Sequence, residues 1–545
     1  MNNIFKKIIQ KISPQRSHFE KKLTNFLKTN IPSKKNSPTI LFWEPGGFAS
    51  ILEKNAIFSL ALNTRGYNTH FIICDGTPQA CMQRGIEQHE KFTDWPIRCK
   101  NCTNSMIFIA NKYKLRYSFF CDYITQEKKQ DFECLSHSIK PQEIQAYILH
   151  GINVGQNALN MFNRYLKGYS VYLSALTHSE DKILRKCFFA SLVNTHITHQ
   201  AIEKHKPYGI FTSHGVYDYA PPIMLGFQKG IKTMCWDTGY ADFFHYFSVP
   251  KNSEKLELRS ITQQAWEQRK NNPLTEHENQ QLDTFINERY INRKARDIAI
   301  LSNPEDATQL KEKLDFFNNK KTACLFTHVN WDACFDLSSM LFSNANQWLM
   351  QSLQKMISIP DINWIIRIHP GELSGGSLFK ADDFLRNNYE NIPSHIKILW
   401  SDSPINSYSL YKLIDVGITI LGTVGTELPL LGKPIITAGT SHFSKKGFSF
   451  DPDTKEEYFS LLENIKDIKP LTPEQINLAR QYAYSYFIQR QIPLHAIDKK
   501  RGHWGGLDID NLNLLLPGND PILDKICEGI IQGKDVILDN KTLRI

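Results

Sequence analysis

The stretch that decides the fold is WIIRIHPGEL, Trp364 to Leu373, with SPINSYSLYKLIDVGITILGTVGTELPLLGKPIITAG, Ser403 to Gly439, and TSHFSKKGFSFD, Thr440 to Asp451. Three short apolar runs lie in it: Trp364 to Ile368, Val416 to Ile420 and Pro434 to Thr437. Each is rich in Ile, Val or Trp and stops at polar or turn-forming residues. Buried parallel strands read this way, with working groups on the loops after them. The spacing therefore predicts a Rossmann-like α/β unit whose strand ends carry a ligand.

Those strand ends suit a phosphate-bearing ligand. Arg367 and His369 close the first run, and Pro370 fixes the turn. After the second run, Gly422 to Thr426 offers backbone N–H groups and the hydroxyls of Thr423 and Thr426. Gly425 there opens a short helix whose positive end favours phosphate. Glu427 is unsuited to phosphate, and is expected to hold sugar or ribose hydroxyls; the competing reading is a carboxylate satisfying free N–H groups at a helix start. His442, Lys445 and Lys446 add positive field after the third run. Asp451-Pro452-Asp453 and Asp508-Ile509-Asp510 have the spacing of a metal-held nucleotide site, but neither follows a clear buried strand. Protein cations, without a bound metal ion, are therefore expected to stabilise the leaving phosphate.

Working outward, Thr39 to Phe42 and Thr69 to Cys74 read as strands around a helix from Ala49 to Thr64, a right-handed βαβ unit. Gly46 and Gly47 form the loop after the first strand, where backbone can approach a ligand in the cleft. Gly209 to Thr212 and Lys232 to Trp236 are further strands, followed by Ser213-His214-Gly215 and by Asp237. An acceptor hydroxyl needs a group to take its proton. His214, Asp75 and Glu44 are the candidates near strand ends, with His214 preferred. A hydrogen-bonded structural histidine is the competing reading.

At 545 residues the chain is too long for one core. The expected division is a basic amphipathic extension (1–38), a first Rossmann-like, acceptor-side unit (39–250), a helical linker (251–320), a second, donor-side unit (321–470), and a C-terminal helix and tail (471–545). Of the net charge of +9, residues Met1 to Pro38 hold nine Lys/Arg and one Glu, or +8. Confined to a tail, this charge argues against nucleic acid as a partner. The tail places Ile4, Phe5, Ile8, Ile9 and Ile12 on one face, and Phe19 to Leu27 is a second amphipathic piece. An anionic membrane surface or the protein body are the alternative partners for those faces. No apolar run spans a bilayer and no signal peptide is expected, so the expected place is the cytoplasm, with a peripheral position on the inner membrane as an option. Eleven scattered cysteines suit a reducing compartment. Cys74, Cys81, Cys99 and Cys102 cluster, and Cys99-Lys-Asn-Cys102 has zinc-ligand spacing. The six-residue gap of the first pair does not, which leaves ordinary buried thiols as the alternative to a structural zinc.

Several separated segments resemble the bacterial capsule polysaccharide biosynthesis family, which includes transferases of Kdo. They are Thr327-His328-Val329-Asn330-Trp331-Asp332-Ala333, Ile366 to Glu372, Ile405 to Leu410, and Gly425-Thr426-Glu427 through Gly432-Lys433-Pro434, continued by Phe448 to Asp451. In the first half, Cys74-Asp75-Gly76 and Ser213 to Tyr217 are also similar. The resemblance implies two Rossmann-like domains facing a cleft (GT-B-like), with helical insertions, a nucleotide-activated sugar donor (CMP- or UDP-linked), no required cofactor, and a glycan or lipid-linked acceptor. By that pattern Arg367, His369, Glu372, Asn406, Thr426 and Glu427 line the donor side. The loop before Gly425 departs from it in having fewer hydroxyls.

A glycosyltransferase of surface-polysaccharide assembly is thus the leading expectation. A polyol-phosphate transferase and a catalytically silent assembly protein are the alternatives, since one fold hosts all three.

Overall fold

The computed structural model describes residues 18–31, 36–82, 95–166, 168, 173, 176–240, 243–250, 260–290, 306–316, 319–329, 331, 340–374, 380–539 and 542. In chain order the strands that form the two large sheets are β1 (Thr39–Glu44), β2 (Asn68–Ile73), β3 (Tyr117–Phe119), β4 (Gly209–Ser213), β5 (Lys232–Thr238), β6 (Phe244–Ser248), β7 (Thr322–Phe326), β8 (Asn363–Arg367), β9 (Ile396–Leu399), β10 (Val416–Thr419), β11 (Ile435–Thr437) and β12 (Ile492–Pro493). The first sheet runs β12-β6-β5-β4-β1-β2-β3, and the second β9-β8-β7-β10-β11.

All neighbours in the second sheet are parallel. In the first, β3, β2, β1, β4 and β5 are parallel, and β6 and β12 close one edge antiparallel. Parallel strands need covering on both faces, which is why β1, β4, β8 and β10 are almost entirely buried. The chain thus has the expected two Rossmann-like α/β units. β7 inserts between β8 and β10, so the two ligand-bearing strand ends read from the sequence flank a third.

Helices supply the covering layers. The helix α1 (Ala49–Thr64) is buried over most of its length against β1 and β2. A long helix, α2 (His178–His205), starts with Thr177 and Glu180 exchanging side-chain and backbone bonds, and stops where Lys206 turns left-handed at φ 43°. The segment expected to link the units folds onto the second one. From its helix α3 (Glu276–Tyr290), Leu282, Ile286 and Tyr290 share a core with Phe326, Ile365 and Tyr411. The last segment returns to the first unit, where Leu494, Leu515, Ile526 and Leu538 join the core of β1 and β4. No helix among the described residues is long and apolar enough to cross a membrane.

The amphipathic piece at Phe19 to Leu27 uses its apolar face internally. Leu23 is fully buried and Phe26 nearly so, both in the first core. Lys22 pairs with Asp510 at 2.6 Å, and the Lys112 ammonium lies over the Phe19 ring. Of the two partners expected for this piece, its apolar face therefore meets the protein body. The first piece, Met1 to Ile12, lies outside the described residues.

Candidate functional site

A cleft opens at the carboxyl ends of the second sheet. Its walls include Thr327 after β7, Arg367 at the end of β8 with His369 and Pro370 after it, Asn406 and Tyr411, Thr419 at the end of β10 with Gly422 and Thr423 after it, Glu427, and Arg289 with Tyr290 from α3. Of the residues expected on the donor side, the structure brings together Arg367, His369, Asn406, Thr423 and Glu427.

Each is held by local chemistry. His369 donates its backbone N–H to Thr327 Oγ1 at 2.9 Å, and its Nδ1 accepts from Gly371 N at 2.9 Å. An accepting Nδ1 means a neutral ring with the proton on Nε2. A Cβ at position 371 would lie 2.7 Å from that Nδ1, so glycine is required there. Arg367 donates Nη1 to the Trp400 carbonyl at 2.9 Å and Nη2 to that of Ile405 at 3.2 Å. It thereby pins the loop that presents Asn406. Burial lowers its pKa, against the pull of Cys324 and Asp382. Asn406 Oδ1 caps the helix Ser407–Leu413 by accepting from Tyr408 N at 2.8 Å.

Glu427 is set deep. Arg289 Nε stands 3.3 Å from its Oε1, with the two side chains 3% and 2% exposed, and Tyr411 donates to its Oε2 at 2.9 Å. Burial, and then the Glu427 charge, raise the Tyr411 and Tyr290 hydroxyls well above their usual range, keeping both as donors. Glu427 is thus a partner of protein groups, with its carboxylate bordering the cleft.

The remaining residues expected on the donor side sit elsewhere, for identifiable reasons. Gly425 and Thr426 are buried behind the wall: a Cβ on Gly425 would collide with the Phe443 ring at 1.8 Å. Their amides, and that of Glu427, bond to Gly422 and Thr423 carbonyls, so the turn itself consumes the Gly425 and Thr426 N–H groups expected to face phosphate. Glu372 is fully buried and accepts from Ala381 N at 2.6 Å; burial pushes its carboxyl up to about 8. His442 stacks on Tyr486, centroids 4.1 Å apart, with Nδ1 3.0 Å from the Tyr482 hydroxyl. Lys446 is half-buried outside the cleft lining.

In the first unit, His214 follows β4 with φ at +54°, a left-handed conformation unusual for histidine. Its Nε2 lies 3.5 Å from Asp237 Oδ1 at the neighbouring strand end, and each side chain is about a quarter exposed. The same carboxylate accepts from Thr238 N at 2.7 Å. Asp75 organises its own loop, accepting from Thr77 Oγ1 at 2.5 Å and from Cys121 N at 3.2 Å. Burial works against its ionisation, but those bonds outweigh it and lower its pKa. Glu44 is buried, bonded by Asn55, and burial pushes it up to about 8. Gly46 and Gly47 turn toward the cysteines, with Gly47 N donating to Cys102 Sγ at 3.1 Å.

The two units meet at this place. Tyr240, three residues past Asp237, has its ring 5.1 Å from the Arg289 guanidinium. Arg164 of the first unit lies over Trp331, which follows β7, at 4.8 Å. Arg289, Tyr290 and Tyr411 were not singled out in the sequence. The only signal for Arg289 was a cation on an amphipathic helix in a charged segment.

No family model matches the chain, and no curated protein does. Among solved structures, it is similar to the Thermosulfurimonas dismutans KpsC beta Kdo 2,7 transferase at 13% identity, over 58% of this chain and 87% of that one, with a TM-score of 0.34. The beta Kdo 2,4 transferase of the same KpsC matches at 9% identity, over 50% and 79%, with a TM-score of 0.31. The spinosyn rhamnosyltransferase SpnG matches at 9% identity, over 82% and 95%, with a TM-score of 0.25.

Proposed function

We propose that this chain is a glycosyltransferase of capsule or related surface-polysaccharide biosynthesis. It moves a sugar from a nucleotide-activated donor, CMP- or UDP-linked, to a glycan or lipid-linked acceptor. The observation that supports this most is the cleft that gathers Arg367, His369, Asn406, Thr423 and Arg289 at the ends of parallel strands, with Arg289 against Tyr240, which follows the end of β5 in the other unit.

In this reading the donor phosphate lies against the His369 Nε2–H and the Thr423 hydroxyl, within the field of Arg289 and Arg367. Donors fixed before the reaction stabilise charge on the departing phosphate without reorganising. His214 receives the acceptor proton. The Asp237 carboxylate, 3.5 Å from Nε2, orients the imidazole.

The test is titration of the full chain with CMP, UDP and CDP, followed by turnover assays with the matching sugar and polyol donors. Binding of CMP or UDP, with sugar transfer, is expected. Transfer from CDP-polyols alone would make the chain a polyol-phosphate transferase. Binding without turnover on any acceptor would make it an assembly protein.

A further inference from the structure

Four of the eleven cysteines, Cys74, Cys81, Cys99 and Cys102, line one cavity of about 330 Å³. It is distinct from the cleft described above. They arrive from three places: the end of β2, the turn after it, and the helix Trp95–Lys112, where Cys99 and Cys102 lie one turn apart on one face. The cysteines buried singly in the cores, such as Cys187, Cys324 and Cys527, show what an isolated structural thiol looks like here. These four are instead half-buried and all without a disulfide.

The backbone is shaped around their sulfurs. Gly47 N donates to Cys102 Sγ at 3.1 Å, and Gly76 N to Cys74 Sγ at 3.4 Å. Gly46 and Gly76 are left-handed, at φ +86° and +92°. A Cβ on Gly46 would lie 3.1 Å from Cys102 Sγ, and one on Gly76 would lie 3.2 Å from Cys99 Cβ. Backbone N–H groups bonded to ligand sulfurs are the outer bonds that orient metal ligands. Zn²⁺ takes four thiolates in a closed tetrahedron.

We propose that Cys74, Cys81, Cys99 and Cys102 bind one Zn²⁺ as a structural site, tying the loop after β1 and the helix Trp95–Lys112 to the end of β2. Among the described residues, no three candidate ligands already stand at ion-holding distances. Binding therefore requires the thiols to turn into the cavity that they line. With four protein ligands the site has no open position, so its role is to hold the first unit together rather than to activate water.

The experiment is metal analysis of the full chain purified from zinc-supplemented culture. About one Zn²⁺ per chain is expected, falling to background in Cys99→Ser and in Cys74→Ser, and unchanged in Cys134→Ser, which alters an exposed thiol elsewhere. Should the serine variants fail to fold, the parent decides the matter. Blocking its thiols with a mercurial should release the zinc to a coloured chelator, and Co²⁺ in its place should give the intense visible bands of tetrahedral thiolate ligation. Folded parent protein that retains no zinc after incubation with Zn²⁺ and dialysis would overturn the proposal. So would full zinc content in both serine variants, or a weak octahedral Co²⁺ spectrum.

Discussion

Arg289 and Glu427 form an ion pair, 3.3 Å apart, in a place almost closed to water, with side chains 3% and 2% exposed. One comes from the segment that reads as a linker, the other from the wall of the cleft. Removing one partner of such a pair strands a buried charge, at a cost of about 3–5 kcal/mol. Arg289→Met should therefore lose about that much in urea unfolding. Arg289→Met with Glu427→Gln together should regain most of it. A loss below about 1 kcal/mol for Arg289→Met would mean that the pair is solvated like a surface bridge.

Gly425 tests packing against ligand approach. Its absent side chain leaves room for the buried Phe443 ring. Gly425→Ala should cost about 1–3 kcal/mol through overpacking, and Phe443→Leu in the same chain should relieve part of it. If Gly425→Ala keeps its melting temperature but loses nucleotide affinity, the glycine faces the ligand after all.

Glu44 and Glu372 predict how stability depends on pH. Burial raises both carboxyls from 4.5 to about 8. Between those values the unfolded chain gives up protons that the folded chain keeps, so stability falls as pH rises. Their contribution is complete below pH 4.5 and is lost as pH climbs through about 8. Melting temperature should fall from pH 6 to pH 9, and less steeply in Glu372→Gln. A slope in Glu372→Gln equal to the parent's would show that this carboxyl is already ionised at neutral pH.

The strands were legible because parallel strands must be apolar throughout and the loops after them must turn. That logic led to Arg367, His369 and Thr423, which share one cleft. It failed one turn later, at Gly425 and Thr426. A helix rotates each residue by about 100°, and nothing local says which side faces a ligand and which faces Phe443. Glu372 and His442 share strand-end positions with true cleft residues, yet their side chains fill the interior. Arg289 was illegible for a different reason: it becomes part of the site only through contact with Glu427 and Tyr240, far away along the chain.

His369 carries the sharpest claim on the donor. Its neutral ring, fixed by the bond from Gly371 N, leaves Nε2–H as the donating atom. Losing a hydrogen bond to a charged group costs about 1.5–3 kcal/mol, or roughly ten- to a hundredfold in affinity. His369→Ala should weaken binding of the nucleotide that the chain prefers by that factor in calorimetric titration, with an unchanged melting temperature. Parent-like affinity would place the phosphate elsewhere in the cleft.

Asp237 provides the last test, because it separates a positioning role from a structural one. Its carboxylate stands 3.5 Å from His214 Nε2 and also accepts from Thr238 N, so it is placed to orient the ring. Asp237→Asn keeps the shape and removes the charge. Turnover of the sugar donor should fall by about a hundredfold or more, while the donor KM stays near the parent value. Rescue of turnover by Asp237→Glu, which restores a carboxylate, should be partial and should leave the donor KM unmoved. A loss of turnover matched by a parallel loss in melting temperature would mean that the pair serves only to hold the strand ends together.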